Sequence, residues 1–354
     1  MKSRTRLWLS IALPLVLVLV VASGYFLSQR ATNSTTASTA PAAHSKQPLT
    51  KMTLALDWTP NTNHTGIFVA QEKGWYRDQG IDLTLLPYSS NVTPDVLVSD
   101  GKADVGISST EGVVSDAAVG QPVVSIAAIV QHNTSELSVL TSSGIKRPRD
   151  LDGKTYGAFG APYETAVVSQ IIKHDGGTGN FKSIVLSIDP LQALQSHRVD
   201  FVWIFQGAEG IQAKYQGMQL TSFPIVDNGI ADYYTPTIIA SPKEIQQKSD
   251  LLTRFMKATA QGYDYARTHV AASAQILMQQ APKGTFPDAQ YVVESQQYLS
   301  PRYADTGRQW GLQDAAAWEG YPELMLSHGG VKDAAGKTVT QMDLSALYTN
   351  KFLP

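Results

Sequence analysis

The run MTLALDWTPNTNHTG, from Met52 to Gly66, decides how this chain is read. Met52, Leu54 and Leu56 recur at every second position, the period of a strand with one buried face. The strand then stops in an acid, an indole, a proline, amides and an imidazole. Trp58 and Pro60 stiffen a turn, Asn61, Thr62 and Asn63 can cap a helix, and Thr65-Gly66-Ile67-Phe68-Val69-Ala70 begins one. Strand, turn and helix in that order build an α/β sheet, and ligands of such sheets sit beyond the carboxyl ends of the strands. Capping needs one residue of this kind. The tryptophan is surplus to that need, and a flat ligand against its indole accounts for it. Asp57, Trp58, Asn61 and His64 are therefore candidate ligand contacts.

Outward from this run the same grammar continues. Strands are predicted at Ile81–Leu86, Ala103–Ser108 and Val123–Val130, and helices at Thr65–Gln79, Pro94–Lys102 and Glu111–Val119. A second series comes next, with strands at Thr155–Phe159, Ser183–Ile188, Val199–Phe205 and Gln219–Val226. Its helices are predicted at Pro162–His174, Leu191–Ser196 and near Ala208–Tyr215. After Ile238-Ile239-Ala240-Ser241 the pattern turns helical, at Pro242–Thr268, Ala271–Gln280, Pro287–Tyr298 and Gln313–His328. No repeat of fixed period appears, which argues against a solenoid. Two α/β series and a helical tail imply two lobes with a cleft between them.

Composition narrows the function. A chain of 354 residues, 43% hydrophobic, can bury a large core, and a net charge of -2 leaves no electrostatic footprint for nucleic acid. The absence of cysteine excludes thiol catalysis, iron–sulfur clusters and zinc-thiolate sites. No phosphate loop, nucleophile elbow, His-Glu-x-x-His or dinucleotide fingerprint is present. The seven histidines lack ligand spacing, so no metal is expected, and no catalytic residue or cofactor is assigned.

The N-terminus sets the compartment. Lys2, Arg4 and Arg6 precede an uncharged apolar run from Leu7 to Leu27, the layout of an export signal. The run is long enough to span a bilayer, and an uncleaved anchor is favoured over a removed signal. Ala22-Ser23-Gly24 offers a small-residue cleavage site, and Tyr25 stands where a lipoprotein box needs cysteine. Residues 1–30 are thus expected to be a signal peptide or membrane anchor, and the Ser/Thr/Ala/Pro-rich residues 31–50 a tether.

Four more strand ends carry chemistry. Ser108, Ser109 and Glu111 follow a strand, where they either cap a helix or face the cleft. In Gly157-Ala158-Phe159-Gly160-Ala161-Pro162-Tyr163-Glu164, two glycines allow a sharp turn whose free N–H groups suit a carbonyl oxygen or an anion; Gly160, Tyr163 and Glu164 are the candidates. In Trp203-Ile204-Phe205-Gln206-Gly207-Ala208-Glu209, Glu209 can accept from an amino edge of a ligand, while Trp203 reads more as core than as contact. Tyr233 and Tyr234 lie where the chain crosses back to the first lobe; in a strand they would point to opposite faces, one to the cleft and one to the hinge.

The stretches LDWTPNTNHTGIFVAQEKGWYRDQGIDL, SDGKADVGIS, DLDGKTYGAFG, VDFVWIFQGAEGI and DYYTPTIIAS together resemble the NMT1/THI5-like family, over nearly all of residues 51–330. The resemblance is strongest to its solute-binding members, the ThiY type, which serve bacterial ABC importers of thiamine pyrimidine precursors. It implies a type II periplasmic-binding-protein fold, with a first lobe of about 51–141 plus 237–354 and a second of about 142–236. It implies aromatic walls at Trp58 and Tyr233-Tyr234, a carboxylate at Glu209 that reads an aminopyrimidine edge, and the Gly157–Gly160 turn against the ligand's substituent. The implied partners are a small heteroaromatic ligand, an ABC permease and its ATPase, and the membrane through the N-terminal segment; a monomer is expected. An enzymatic branch makes the pyrimidine phosphate with pyridoxal phosphate. This chain has Ser108 where that branch carries lysine, and Ala231-Asp232-Tyr233-Tyr234-Thr235 where it carries a cysteine cluster. Gln206-Gly207-Ala208 replaces a more aromatic pattern of the ThiY type, which keeps riboflavin or another heteroaromatic open as the ligand.

Overall fold

Alternation at Met52, Leu54 and Leu56 carries through into the structure, where all three side chains are buried in one cluster. The computed structural model describes residues 48–354 apart from positions 90, 162 and 287; the expected export segment and nearly all of the tether lie outside the described residues. Among the described residues, no helix is long and apolar enough to cross a membrane.

Among those residues, ten strands form two sheets. The first series supplies β1 (Thr50–Ala55), β2 (Ile81–Leu86), β3 (Val105–Ser108) and β4 (Val124–Ala128), followed by β5 (Ser135–Leu140). The second supplies β6 (Thr155–Ala158), β7 (Lys182–Val185), β8 (Phe201–Phe205) and β9 (Leu220–Pro224), followed by β10 (Thr237–Ala240). The sheets run β2-β1-β3-β10-β4 and β7-β6-β8-β5-β9. Each has the order second, first, third, inserted, fourth, and the inserted strand is antiparallel to both neighbours. This is the two-lobed α/β arrangement of type II periplasmic binding proteins, with two chain crossings between the lobes.

Neither inserted strand is marked by the apolar pattern. In β5 the inward positions include Glu136 and Ser138, which are buried, and the Ser138 hydroxyl meets that of Ser222 on β9 at 2.7 Å. Polar residues on a buried face erase the alternation. Since β5 belongs to the second sheet, the first crossing lies before Ser135 and not near residue 141 as expected. The predicted helix 65–79 is interrupted at Gly74, in the left-handed region with φ 77°, and the helix predicted over 242–268 is broken at Lys248.

An aspartate performs the same job in each lobe. Asp104, just before β3, accepts from the Thr53 N–H at 2.7 Å and binds Lys248 at 2.6 Å. Asp200, just before β8, accepts from the Thr155 N–H at 2.7 Å. The Ala-Asp-Val-Gly and Val-Asp-Phe-Val elements therefore hold the first strand of each sheet in register, away from the cleft. Helix Thr65–Glu72 packs on helix Ser249–Thr268 at unusually close range, because a Cβ at Gly262 would run into the Gly66 carbonyl. This fixes the start of the helix that follows the Asp57–His64 turn.

Candidate functional site

The carboxyl ends of β1, β2 and β3 supply the first wall. Past β1, His64 is buried; its Nε2 meets Asp57 Oδ1 at 2.8 Å and its Nδ1 accepts the Asn61 N–H at 3.2 Å. With Nδ1 accepting, the neutral ring carries its proton on Nε2 and donates it to Asp57. Asn61 Oδ1 accepts from the Asn63 N–H at 2.9 Å and completes a capping box. The polar atoms of Asn61 and His64 are thus engaged within the turn. Trp58 is not: it is 43% exposed, with its ring 4.7 Å from that of Tyr88. Tyr88, just past β2, was missed; its signal was an aromatic directly after a predicted strand, the position Trp58 holds after β1.

Past β3, the Ser108 hydroxyl donates to Asp95, and Ser109 caps helix Thr110–Ala118 by accepting from the Gly112 N–H at 3.1 Å. Asp95 and Asp116 lie together. Burial raises both carboxyls above the usual range, and the Asp95 charge raises Asp116 further. Glu111 is 2% exposed, and burial pushes its carboxyl up to about 7. Among the described residues, neither Glu111 Oε2 nor the neighbouring Tyr233 hydroxyl makes a hydrogen bond of sound geometry.

The second wall corrects the expected anion nest after β6. Gly160, at φ 99°, does make the sharp turn, but the carboxylate of Glu164 occupies it. That group accepts from the N–H groups of Phe159 at 3.0 Å, Gly160 at 2.6 Å and Ala161 at 2.5 Å, and from the Tyr156 hydroxyl at 2.7 Å. A side chain at helical spacing from the turn reaches its N–H groups more readily than a ligand would. Phe159 is left 50% exposed, with its ring 6.2 Å from Tyr163 and 5.9 Å from Trp203. Trp203 is core of β8, as its apolar run indicated, and its buried indole N–H has no partner among the described residues.

Glu209 sits in a π-type turn, Gln206–Gly210, and its Oε2 accepts from the Phe205 N–H at 3.1 Å. It is half-buried, and burial raises its carboxyl. Among the described residues its other oxygen is unengaged. Gln206 lines an open pocket of about 450 Å³ together with Tyr215, Glu294 and Tyr298. Helix Ala289–Leu299 bridges the walls here: Ser295 meets the Thr62 hydroxyl at 2.6 Å and donates to the Gly207 carbonyl, while Lys214 binds Glu294 at 2.6 Å.

The second crossing also differs from expectation. Residues 231–236 form no strand, and both tyrosines are buried. Tyr233 stacks on Tyr321 with centroids 3.9 Å apart, and the Tyr234 hydroxyl accepts from the Asp314 N–H at 2.9 Å. Neither alternates as strand residues do, because the segment is anchored by hydrogen bonds outside any sheet: the Tyr234 carbonyl accepts from the hydroxyl of Thr110, at the start of its helix, at 2.8 Å. His132 ties the two crossings, meeting Asp232 at 2.6 Å and Asp305 at 3.1 Å, and these carboxylates raise its basicity.

Thus Asp57, Trp58, Ser108, Ser109 and Glu111 share one wall, Gly160, Tyr163, Glu164 and Trp203 share the other, and Tyr233 lies between them against Glu111. Glu209 stands beside Asp189 and Tyr291; burial, and then the charge of Glu209, make the Tyr291 hydroxyl less acidic.

A family model described as NMT1/THI5 like matches residues 61–272. The chain is 25% identical over 282 residues to a formylaminopyrimidine-binding protein of Halalkalibacterium halodurans, covering 78% of this chain and 85% of the relative. It is 24% identical over 310 residues to a 4-amino-5-hydroxymethyl-2-methylpyrimidine phosphate synthase of Legionella pneumophila, covering 86% and 92%. Among solved structures, the periplasmic aliphatic sulphonate binding protein of Escherichia coli superposes with a TM-score of 0.64 at 13% identity, over 86% of this chain and 99% of that one. An alkanesulfonate-binding protein of Xanthomonas axonopodis bound to MOPS gives 0.63 at 13%, over 84% and 98%. At such identities these two structures speak to the fold.

Proposed function

For a chain that belongs to the NMT1/THI5-like family, we propose the role of extracytoplasmic solute-binding component of an ABC importer, capturing a thiamine-precursor aminopyrimidine of the N-formyl-4-amino-5-aminomethyl-2-methylpyrimidine type. The observation that carries this reading is the pair of exposed aromatics at strand ends on opposite walls, Trp58 at 43% and Phe159 at 50%. Large apolar rings left open at a cleft favour a flat heteroaromatic ligand. In this reading Trp58 stacks on the ring, the free oxygen of Glu209 accepts from its amino group, and lobe closure forms the surface a permease recognises. The formylaminopyrimidine-binding relative supports the ligand class. The apolar N-terminal run supports export and membrane attachment.

The synthase relatives favour a second reading, pyrimidine phosphate synthesis. Against it stand the lack of any cysteine and the serine at position 108, where the enzymatic branch carries lysine. Residues 48–354 should be screened by native mass spectrometry and thermal shift against aminopyrimidines and flavins. Retention of an unaltered formylaminopyrimidine is expected. Preference for a flavin would reassign the ligand, and conversion of any bound molecule would replace binding by catalysis. Glu209→Gln should weaken an aminopyrimidine more than an analogue lacking the amino group; equal losses would remove Glu209 from that role.

A further inference from the structure

Glu111 has no place in the ligand contacts proposed above, yet it is among the most unusual groups in the molecule. It belongs to helix Thr110–Ala118 at the carboxyl end of the first sheet. Among the described residues its buried Oε2 and the hydroxyls of Tyr233 and Tyr321 make no hydrogen bond of sound geometry. The groups facing its carboxyl come from every element packed there. Tyr163 approaches from the second lobe, Tyr233 from the second crossing, Tyr321 from helix Ala315–Ser327, and Ser109 from its own helix. Among the described residues no lysine, arginine or histidine acts on it, and Asp95 and Asp116 act on each other.

A buried carboxylate without a cation or adequate donors is costly, whereas the neutral acid is tolerated. Tyr163 of the second lobe lies half-buried against the cluster that holds Val113 and Val114 of the Glu111 helix together with Tyr233 and Tyr321. Drawing that lobe away would admit water to Glu111 and allow it to ionise; bringing it back would require a proton.

We infer that closure of the lobes takes up a proton at Glu111, so that acidic conditions hold the cleft closed and rising pH loosens it. For its purpose the inference rests on the solute-binding reading, since a loosened cleft releases its solute more easily. Its test does not need the solute.

The chain lacks cysteine, so Lys102→Cys in the first lobe and Lys182→Cys in the second give two unique labelling points on exposed positions. With spin labels at both, the interlobe distance in the ligand-free protein is measured by pulsed electron resonance from acid to alkaline pH. The expected result is a shift to longer distances between about pH 6 and 8, abolished in Glu111→Gln, which keeps the shape of the neutral acid. Tyr233→Phe removes a hydroxyl that favours the ionised carboxyl and should move the transition to higher pH. A distance that ignores pH in the parent protein, or a shift that persists unchanged in Glu111→Gln, would overturn the inference. A failure to bind aminopyrimidines with the pH transition intact would instead count against the ligand reading alone.

Discussion

Glu164 and Glu111 occupy corresponding places in the two lobes, at the start of a helix just past a parallel strand, and both are 2% exposed. Their surroundings are opposite. Glu164 receives three backbone N–H groups and a tyrosine hydroxyl, while Glu111 Oε2 receives nothing from the described residues. Burial alone therefore says little about a carboxyl. One acid is a structural plug that completes its turn, and the other has its carboxyl raised by burial without such donors. The exposed aromatics beside them, Phe159 and Trp58, are what each wall leaves for a ligand.

The contrast can be broken most forcefully at Glu164. Glu164→Ala would orphan three N–H groups and a hydroxyl, and should cost on the order of 3–5 kcal/mol in urea unfolding; a loss below about 1 kcal/mol would mean that water replaces the carboxylate. Glu111→Gln tests the other half. A folded-state value raised from 4.5 to about 7 means that the parent protein is destabilised as pH rises between those values. Relative to Glu111→Gln, it should lose up to about 3 kcal/mol from pH 4 to pH 8, read from unfolding midpoints across pH. Parallel pH profiles for the two proteins would erase the distinction from Glu164.

Smaller effects separate ligand contacts from scaffold. Trp58→Ala should weaken aminopyrimidine binding by about 1–3 kcal/mol in calorimetry while leaving the melting temperature nearly unchanged. The reverse pattern would make Trp58 a packing residue. Ser109→Ala should lower stability by about 1 kcal/mol through the lost helix cap, with affinity unaffected; a matching loss of affinity would restore Ser109 to the ligand contacts.

Much of the frame was legible in the chain. The eight strands of the two α/β series follow from apolar period and glycine stops, and their carboxyl ends marked where aromatic and polar groups gather. The inserted strands were not legible, since a four-residue apolar run such as Thr237–Ala240 carries no period of its own and β5 buries polar side chains. The site was half legible. Trp58 stood out because no local role explains an indole in a turn, whereas Glu164, Asn61 and His64 resembled ligand contacts and proved to satisfy their own backbone.

What the sequence determined by itself is the list of strand ends and the residue types they carry, because period and turn chemistry are local properties. What only the tertiary structure decided is which of those groups remain free. Glu164 is consumed by N–H groups that its own turn exposes, and Glu111 is stranded among tyrosines from three distant segments. Whether a polar atom finds a partner depends on which parts of the chain arrive beside it, and that is settled by packing.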